Sequence, residues 1–359
     1  MRQRLPRPLD LGLYVELPAI TVGFVAWHVV QKGWRARWLG DFEIFRAAGH
    51  ALVHGHSPYV QPTLHLLAAN NRFVYPAPIA LLFAPFNALG PTASSLVYLA
   101  LSVVAVGVAV RLLGVTDWRC YGAALVGGGA YGSFVVGSIG PLLLLAVAAG
   151  WRYRDRAVGG VLLAVAAAAK LFLWPLLVWL LVTRRVRGAA AAAASLAAIL
   201  GLWALLDLHG LREYPTTLQV LNRVHGGTSY SVETLAISAG ASAGAAHLAV
   251  LLIALVGIAA IVVVRDDDRA ALTVAVAVAL FATPILWMHY LILLIVPVAL
   301  ARPVLATLWA LPAALWLSSR PESNGALWRI LIALLVIAGT TFFALRRPSA
   351  RAAVAPAVT

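Results

Sequence analysis

The sequence predicts an all-α membrane protein that crosses the bilayer about twelve times, and three observations carry that reading. Of its 359 residues, 62% are hydrophobic and 11% charged, and the mean hydropathy is +0.90. Soluble domains sit nearer half apolar and about a quarter charged. The apolar residues also fall in long runs, among them TASSLVYLALSVVAVGVAV and HLAVLLIALVGIAAIVVV, close to the ~20 residues a helix needs to cross a bilayer core. Finally, basic residues cluster between the runs, as RYRDR, TRRVRG and ALRRPSAR, which is how cytoplasmic turns read under the positive-inside bias.

The first run, 12–30, follows Arg2, Arg4 and Arg7 as a signal peptide would, but no convincing small-residue cleavage site follows it. It therefore reads as an uncleaved first helix. A long amphiphilic loop, 31–77, comes next. Segment 78–89, PIALLFAPFNAL, is short and broken by Pro85, so it reads as re-entrant or interfacial. The remaining runs are 92–113, 121–136, 138–150, 157–169, 171–183, 188–206, 246–264, 270–283, 285–300, 302–318 and 326–345. Several are too short for a full crossing, which pairs of short helices meeting at a dent in the outer face would explain.

A cytoplasmic N-terminus places Arg111, Arg119, Arg152 to Arg156, Arg184 to Arg187, Arg265, Arg269 and Arg346 to Arg351 inside. The same parity puts 31–77, 207–245 and the turns at GSIGP, AKLF and TPILWMHY outside. The domain reading is one transmembrane unit, 1–345, with a cytoplasmic tail, 346–359.

A net charge of +14 would suit a nucleic-acid binder. The placement of the arginines between apolar runs excludes that class. Cys120 is alone, so no internal disulfide forms. No P-loop, GxGxxG after a strand, HExxH or GxSxG context occurs, which leaves nucleotide-driven transport and soluble nucleotide-sugar chemistry without support.

Against this background a few polar residues stand out. Lys170, in GVLLAVAAAAKLFLWPLLVWLL, is one of two lysines. A cation at mid-helix costs roughly 2.5–3.5 kcal/mol, so it needs a partner, a cavity or a boundary. It either snorkels at a break between short helices or meets an anion, a lipid phosphate being the natural one. Asp41 and Glu43 open a predicted helix, DFEIFRAAGHALVHG. Asp41 reads as an N-cap, as a catalytic carboxylate at the water–lipid boundary, or as both. Residues two apart do not share a helix face, so the two acids do not act as a pair.

His54, His56 and His65 lack metal-ligand spacing, and no metal site is expected. Tyr59, Arg72 and Tyr75 lie beside Pro58, Pro76 and Pro78, and read as interfacial anchors or as sugar and phosphate contacts. His289, between Trp287 and Tyr290, sits at the break of a transmembrane hairpin, where an ionisable group is a functional candidate.

In this order the pieces resemble glycosyltransferase family 87, integral-membrane GT-C transferases of actinobacterial envelopes. The resemblance rests on Asp41 after the first helix, on Gly55-His56-Ser57-Pro58-Tyr59 and on Val74-Tyr75-Pro76-Ala77-Pro78. It continues through Lys170-Leu171-Phe172-Leu173-Trp174-Pro175 and Thr283-Pro284-Ile285-Leu286-Trp287-Met288-His289. Gly137-Ser138 stands where the family often has Gly-Gln, and no Ser precedes Trp287.

The resemblance implies a polyprenyl-phosphate sugar donor in the outer leaflet of the plasma membrane and a glycolipid or lipoglycan acceptor. No cofactor is implied; a metal that assisted would be a weakly held Mg²⁺ or Mn²⁺ at phosphate. Polyprenyl phosphate is a good leaving group, so the reaction needs one base for the acceptor hydroxyl and cations for the departing phosphate. Asp41 is the candidate base, in an inverting transfer. Lys170, with Arg72 and His289, is the candidate phosphate cradle, and Glu43, His56, Tyr59, Tyr75 and Trp287 are the further substrate-binding candidates.

Mannose is the first reading for the sugar, and arabinofuranose the alternative. Two other classes compete. A secondary transporter or lipid-linked-sugar flippase would also use buried ions and broken helices, but would predict an inverted repeat, which the hydropathy does not show. A non-catalytic scaffold would tolerate loss of the Asp41 charge.

Overall fold

Inside a bilayer every backbone N–H and C=O must be satisfied within the segment, which makes the helix the default for apolar runs. The computed structural model describes residues 7–32, 38–68, 72–318, 320 and 322–346. Among these no strand occurs, and every expected apolar run contains helix. Arg2, Arg4 and the tail beyond Arg346 lie outside the described residues.

The chain starts with α1 (Pro8–Gln31), wound as a π-helix over Gly12–Glu16. Then come α2 (Gly40–Val53), α3 (Leu64–Ala68) and α4 (Ala77–Leu81), the last followed by a 3₁₀ turn at Ala84–Ala88. Next is α5 (Pro91–Leu112). The expected run 121–136 is two helices, α6 (Arg119–Val126) and α7 (Gly128–Val136), because Gly127 takes an extended backbone between them. They are followed by α8 (Gly140–Arg152), α9 (Ala157–Ala169) and α10 (Pro175–Val182).

The longest helix, α11 (Val186–His225), departs from expectation. Most of 207–245, expected as an outer loop, is helical. At Asp207 the backbone leaves helical geometry (φ −159°, ψ 78°), and the helix restarts because the Asp207 carboxylate accepts from the Gly210 N–H at 2.9 Å. The Ser57 hydroxyl donates to the same carboxylate at 2.6 Å, tying the first loop to this joint. The remainder is α12 (Val232–Ser238), α13 (Ala243–Val263), α14 (Asp268–Phe281), a 3₁₀ stretch Met288–Leu294 leading into α15 (Ile295–Ala301), a 3₁₀ stretch Thr307–Ser318 and α16 (Leu327–Leu345).

Among the described residues, five helices are long and apolar enough to cross a membrane alone: α1, α5, α11, α13 and α16. The other expected crossings are shorter, so about twelve full crossings is more than these lengths provide. A 13-residue helix such as α9 rises about 20 Å, against a hydrocarbon core of ~30 Å.

The short helices do come in pairs. α7 and α8 meet at Gly137–Ile139, α9 and α10 at Lys170–Trp174, and α14 meets the 288–294 stretch at 282–287. The arginine-bearing turns lie at the far ends of several of these helices. There Arg154 and Arg185 both pair with Asp268, which joins the α8–α9, α11 and α14 termini at one end of the bundle.

Small residues allow the closest approaches between helices. A Cβ on Gly160 of α9 would run into the Gly188 carbonyl of α11, and one on Gly129 of α7 would strike the Ile292 backbone. Gly160→Ala is therefore expected to destabilise the folded protein by about 1–3 kcal/mol through overpacking. A clear drop in the detergent-extracted melting temperature, read by thermal aggregation with size-exclusion detection, checks this; an unchanged melting temperature would refute it.

Candidate active site

All three breaks open on the same cavity. Its volume is about 760 Å³, and Val136, Lys170 and Thr283 bring one break each to its wall. The fourth wall is α2, whose Asp41 and Ile44 face the cavity.

The sequence of α2 explains how Asp41 arrives there. Phe42, Phe45, Ala48, Gly49 and Leu52 recur at helical spacing and are buried. Phe42 stacks on Tyr98 with centroids 4.5 Å apart, and Phe45 on Phe83 at 4.5 Å. Burying that stripe turns Asp41 and Ile44, three residues apart, to the neighbouring face. Of the roles its position allows, Asp41 does not take the N-cap. Leu39 caps the helix in left-handed geometry (φ 53°), with its N–H on the Val135 carbonyl at 2.9 Å, and no side chain caps. Gly137 permits this approach: its φ is +69°, and a Cβ would lie 2.8 Å from Leu39 Cα.

Freed from capping, the half-buried Asp41 carboxylate has no hydrogen bond or ion pair among the described residues. Burial pushes it up from 3.8 to about 6, while the Lys170 charge pulls it back down.

Lys170 ends α9 in extended geometry (φ −143°, ψ 105°). Its ammonium lies 4.0 Å from the centroid of the Tyr75 ring and 4.7 Å from that of Tyr290. These cation–π contacts offset part of its desolvation, and no carboxylate pairs with it among the described residues. The two tyrosine hydroxyls share a hydrogen bond at 3.2 Å.

His289 is 7% exposed, and its Nε2 is buried with no hydrogen-bond partner. Its carbonyl accepts from Ser133 Oγ at 3.0 Å, which anchors the 288–294 stretch to α7. Buried polar atoms are normally partnered, so an orphaned Nε2 in a cavity wall marks a place for a ligand.

Six of the nine residues singled out from the sequence line this cavity: Asp41, Arg72, Tyr75, Lys170, Trp287 and His289. Three do not. Glu43 points away and pairs with Arg46 at 2.7 Å, one turn along its own face. His56 is exposed in the first loop. Tyr59 stands behind the wall, where its hydroxyl donates to the Tyr75 carbonyl at 2.6 Å and its ring packs on Phe73 and Trp203. Thus the Gly55–Tyr59 element braces the Tyr75 element. Ser138 is fully buried and accepts from the Gly140 N–H, so it turns inward from the cavity.

The cavity also holds residues not singled out from the sequence: Tyr214, Asn222, His225, Tyr290 and Glu322. Tyr290 had a signal, since it neighbours His289 in a broken hairpin. Glu322 had a fainter one, being one of 13 acidic residues in the chain. Among the described residues, no group of three His, Cys, Asp or Glu side chains stands close enough to hold a metal ion.

Chemically, the cavity offers a carboxylate and an ammonium that feel one another's charge and have no ion-pair partner among the described residues, with a buried imidazole nitrogen and a large apolar wall. That set can take a proton from one group while holding an anion on another. No curated protein and no solved structure matches the chain. A family model does: glycosyltransferase family 87 matches over residues 73–288, more than half of the sequence. The matched stretch contains Tyr75, Lys170 and Trp287, while Asp41 precedes it and His289 follows it by one residue. The chain belongs to glycosyltransferase family 87.

Proposed function

We propose that this glycosyltransferase moves a sugar, mannose in the first reading, from a polyprenyl-phosphate donor to a hydroxyl of a lipid-anchored glycan, at a GT-C-type site on the outer face of the plasma membrane. The observation that carries the reading is the Asp41 carboxylate and the Lys170 ammonium, each without an ion-pair partner among the described residues, on the wall of one cavity made of helix breaks. The outward assignment is supported by the arginine turns, which gather at the opposite end of the bundle.

In the reaction the acceptor oxygen forms a bond to the anomeric carbon while the bond from that carbon to the phosphate oxygen breaks. Attack from the face opposite the phosphate inverts the centre. Asp41 accepts the hydroxyl proton. The departing phosphate carries its negative charge to Lys170 and Arg72, with His289 donating from an Nε2–H. Tyr75 and Tyr290 hold the lysine in place through their rings. A divalent ion that assisted would sit weakly at the phosphate, as Mg²⁺ or Mn²⁺.

Membranes containing the protein, supplied with radiolabelled polyprenyl-phosphate mannose or polyprenyl-phosphate arabinose, test the reading directly. Label reaching a glycolipid from the mannose donor supports it as written, and label from the arabinose donor alone replaces the sugar. Transfer from neither, with label crossing the bilayer instead, would overturn it in favour of transport. Asp41→Asn is expected to leave folding intact, since no cap is lost, and to lower turnover by about 10²–10⁴-fold.

The pH profile follows from the raised carboxylate. Above about 6 Asp41 is ionised and competent; below it the protonated form cannot accept. The rate should therefore fall about tenfold per pH unit on the acid side with a midpoint near 6, and a flat profile down to pH 4 would refute the base assignment. Lys170→Met is expected to raise the donor KM about tenfold or more, from loss of a charge-assisted contact to phosphate; an unchanged donor KM would remove Lys170 from the cradle.

A further inference from the structure

A second polar group lies in the same cavity, apart from the Asp41–Lys170–His289 set, and the reaction as derived does not use it. Glu322, His225, Asn222 and Trp287 all line the wall. The Trp287 indole meets the His225 ring edge-on with centroids 5.4 Å apart, and Glu322 is near enough to His225 to act on its charge.

The fold builds this arrangement deliberately. Ser323 donates from its N–H to the Thr228 carbonyl at 2.8 Å and from its hydroxyl to the Ser229 carbonyl at 2.6 Å. Tyr230 donates from its hydroxyl to the Arg320 carbonyl at 2.8 Å. These bonds hold the backbone on both sides of Glu322 against the turn that ends α11, where His225 sits. Ser231 Oγ donates to the Pro284 carbonyl at 2.7 Å, and the Tyr230 N–H to the Leu286 carbonyl at 2.8 Å, bringing the segment of Trp287 to the same turn. Behind the wall, the buried Glu233 accepts from Asn222 Nδ2 at 2.9 Å and fixes that side chain.

Two of the polar groups so placed nonetheless lack a partner, while the His225 ring bonds the Leu67 backbone. The Glu322 carboxylate has no hydrogen bond or ion pair among the described residues, and Asn222 Oδ1 is buried without a partner. A flat indole beside a carboxylate, an imidazole and an amide is the equipment for a sugar ring. The indole takes the ring's C–H face, and the polar groups take its hydroxyls. A phosphate would be repelled by Glu322, so this end does not suit the donor's charged group.

We infer that this end of the cavity is the acceptor subsite, seating one sugar ring with free neighbouring hydroxyls on Trp287, with Glu322 and Asn222 hydrogen-bonding those hydroxyls. The inference rests on the transferase reading and adds where the acceptor binds and what recognises it. Segment 282–290 then serves both substrates, presenting Trp287 to the acceptor and His289 to the donor.

Equilibrium binding tests the subsite without requiring turnover. Radiolabelled octyl α-D-mannopyranoside is titrated against the full chain in nanodiscs, with octan-1-ol as the competitor lacking a sugar. Wild type is expected to bind saturably, with octan-1-ol a poor competitor. Glu322→Gln and Trp287→Ala are expected to weaken binding about tenfold or more, as loss of a hydrogen bond to a charged group does. Glu43→Gln is expected to bind within about threefold of wild type, because Glu43 pairs with Arg46 and does not line the cavity.

Absence of saturable binding, equal competition by octan-1-ol, or wild-type affinity in Glu322→Gln would overturn the subsite, as would a loss in Glu43→Gln equal to that in Glu322→Gln. Should Trp287→Ala fail to elute as a folded protein, the isosteric Glu322→Gln still decides the matter. Binding that survives while no polyprenyl-phosphate sugar is transferred would sink the transferase reading alone. Transfer that survives with glycoside binding indifferent to Glu322 would sink the subsite alone.

Discussion

A helix can stop inside an apolar layer only where something other than lipid receives its loose backbone groups. That constraint organises this protein. Three helix pairs break short of a full crossing, and each break would leave free carbonyls and N–H groups if it faced hydrocarbon. Bringing the three together around one cavity, and closing it with α2, removes the problem for all of them at once. The site exists because the breaks must be sheltered, and the breaks supply the positions from which Lys170 and His289 project. Small residues make the shelter tight: α7 is glycine-rich, and both Gly129 and Gly132 lie against the 288–294 stretch.

Charge is the second cost the fold carries. Lys170 and Asp41 are each drawn out of bulk water, yet neither has a full ion-pair partner among the described residues. A direct pair would have satisfied both charges and left nothing for a substrate. Instead the lysine rests on two aromatic faces, which attract it without consuming its donors, and the aspartate has no hydrogen bond among the described residues. Groups held half-satisfied in this way are costly when the cavity is empty and well placed when an anion and a hydroxyl arrive together. Glu43 shows the contrast: two residues away, it has a close arginine partner and Ser95 Oγ within 3.4 Å, and it takes no part in the cavity.

How much of this was legible beforehand follows the kind of information each feature carries. Apolar runs set helices with bounds that agree closely, as at 157–169, because burial is a sum over many residues. Lys170 and His289 were visible because an ionisable residue in such a run is an anomaly by composition. The apolar run 188–206 ends just before Asp207, and hydropathy alone does not show that the helix restarts beyond it on the Asp207–Gly210 bond. Asn222 gives no signal in the sequence, and Glu322 only the faint one of being an acid in a chain poor in acids. They matter through a turn-to-turn stitch by Ser323 and Tyr230, and polar residues in irregular or amphiphilic chain give no periodic signal.

The cavity's lining also bears on which donors suit it. Beyond Lys170 the wall continues through Leu171, Phe172 and Trp174, and Leu171 is 49% exposed. An apolar surface leading outward from a fixed positive charge matches a ligand with an anionic head and a long hydrocarbon tail. A nucleotide-linked sugar carries two phosphates and a polar base, and would need several donors along its length. Here the positive charge among the described wall residues comes from Lys170 and Arg72, and the walls beside the lysine are aromatic or aliphatic. Burying a diphosphate against them would leave charge unpaired at several kcal/mol per ion. A lipid monophosphate asks for far less, since its tail stays in the bilayer and only its head and sugar enter. Under the proposed reaction the same economy lets one carboxylate serve the acceptor side: a lipid monophosphate leaves as an anion that a cation can receive, so no second proton donor is needed at the bond that breaks.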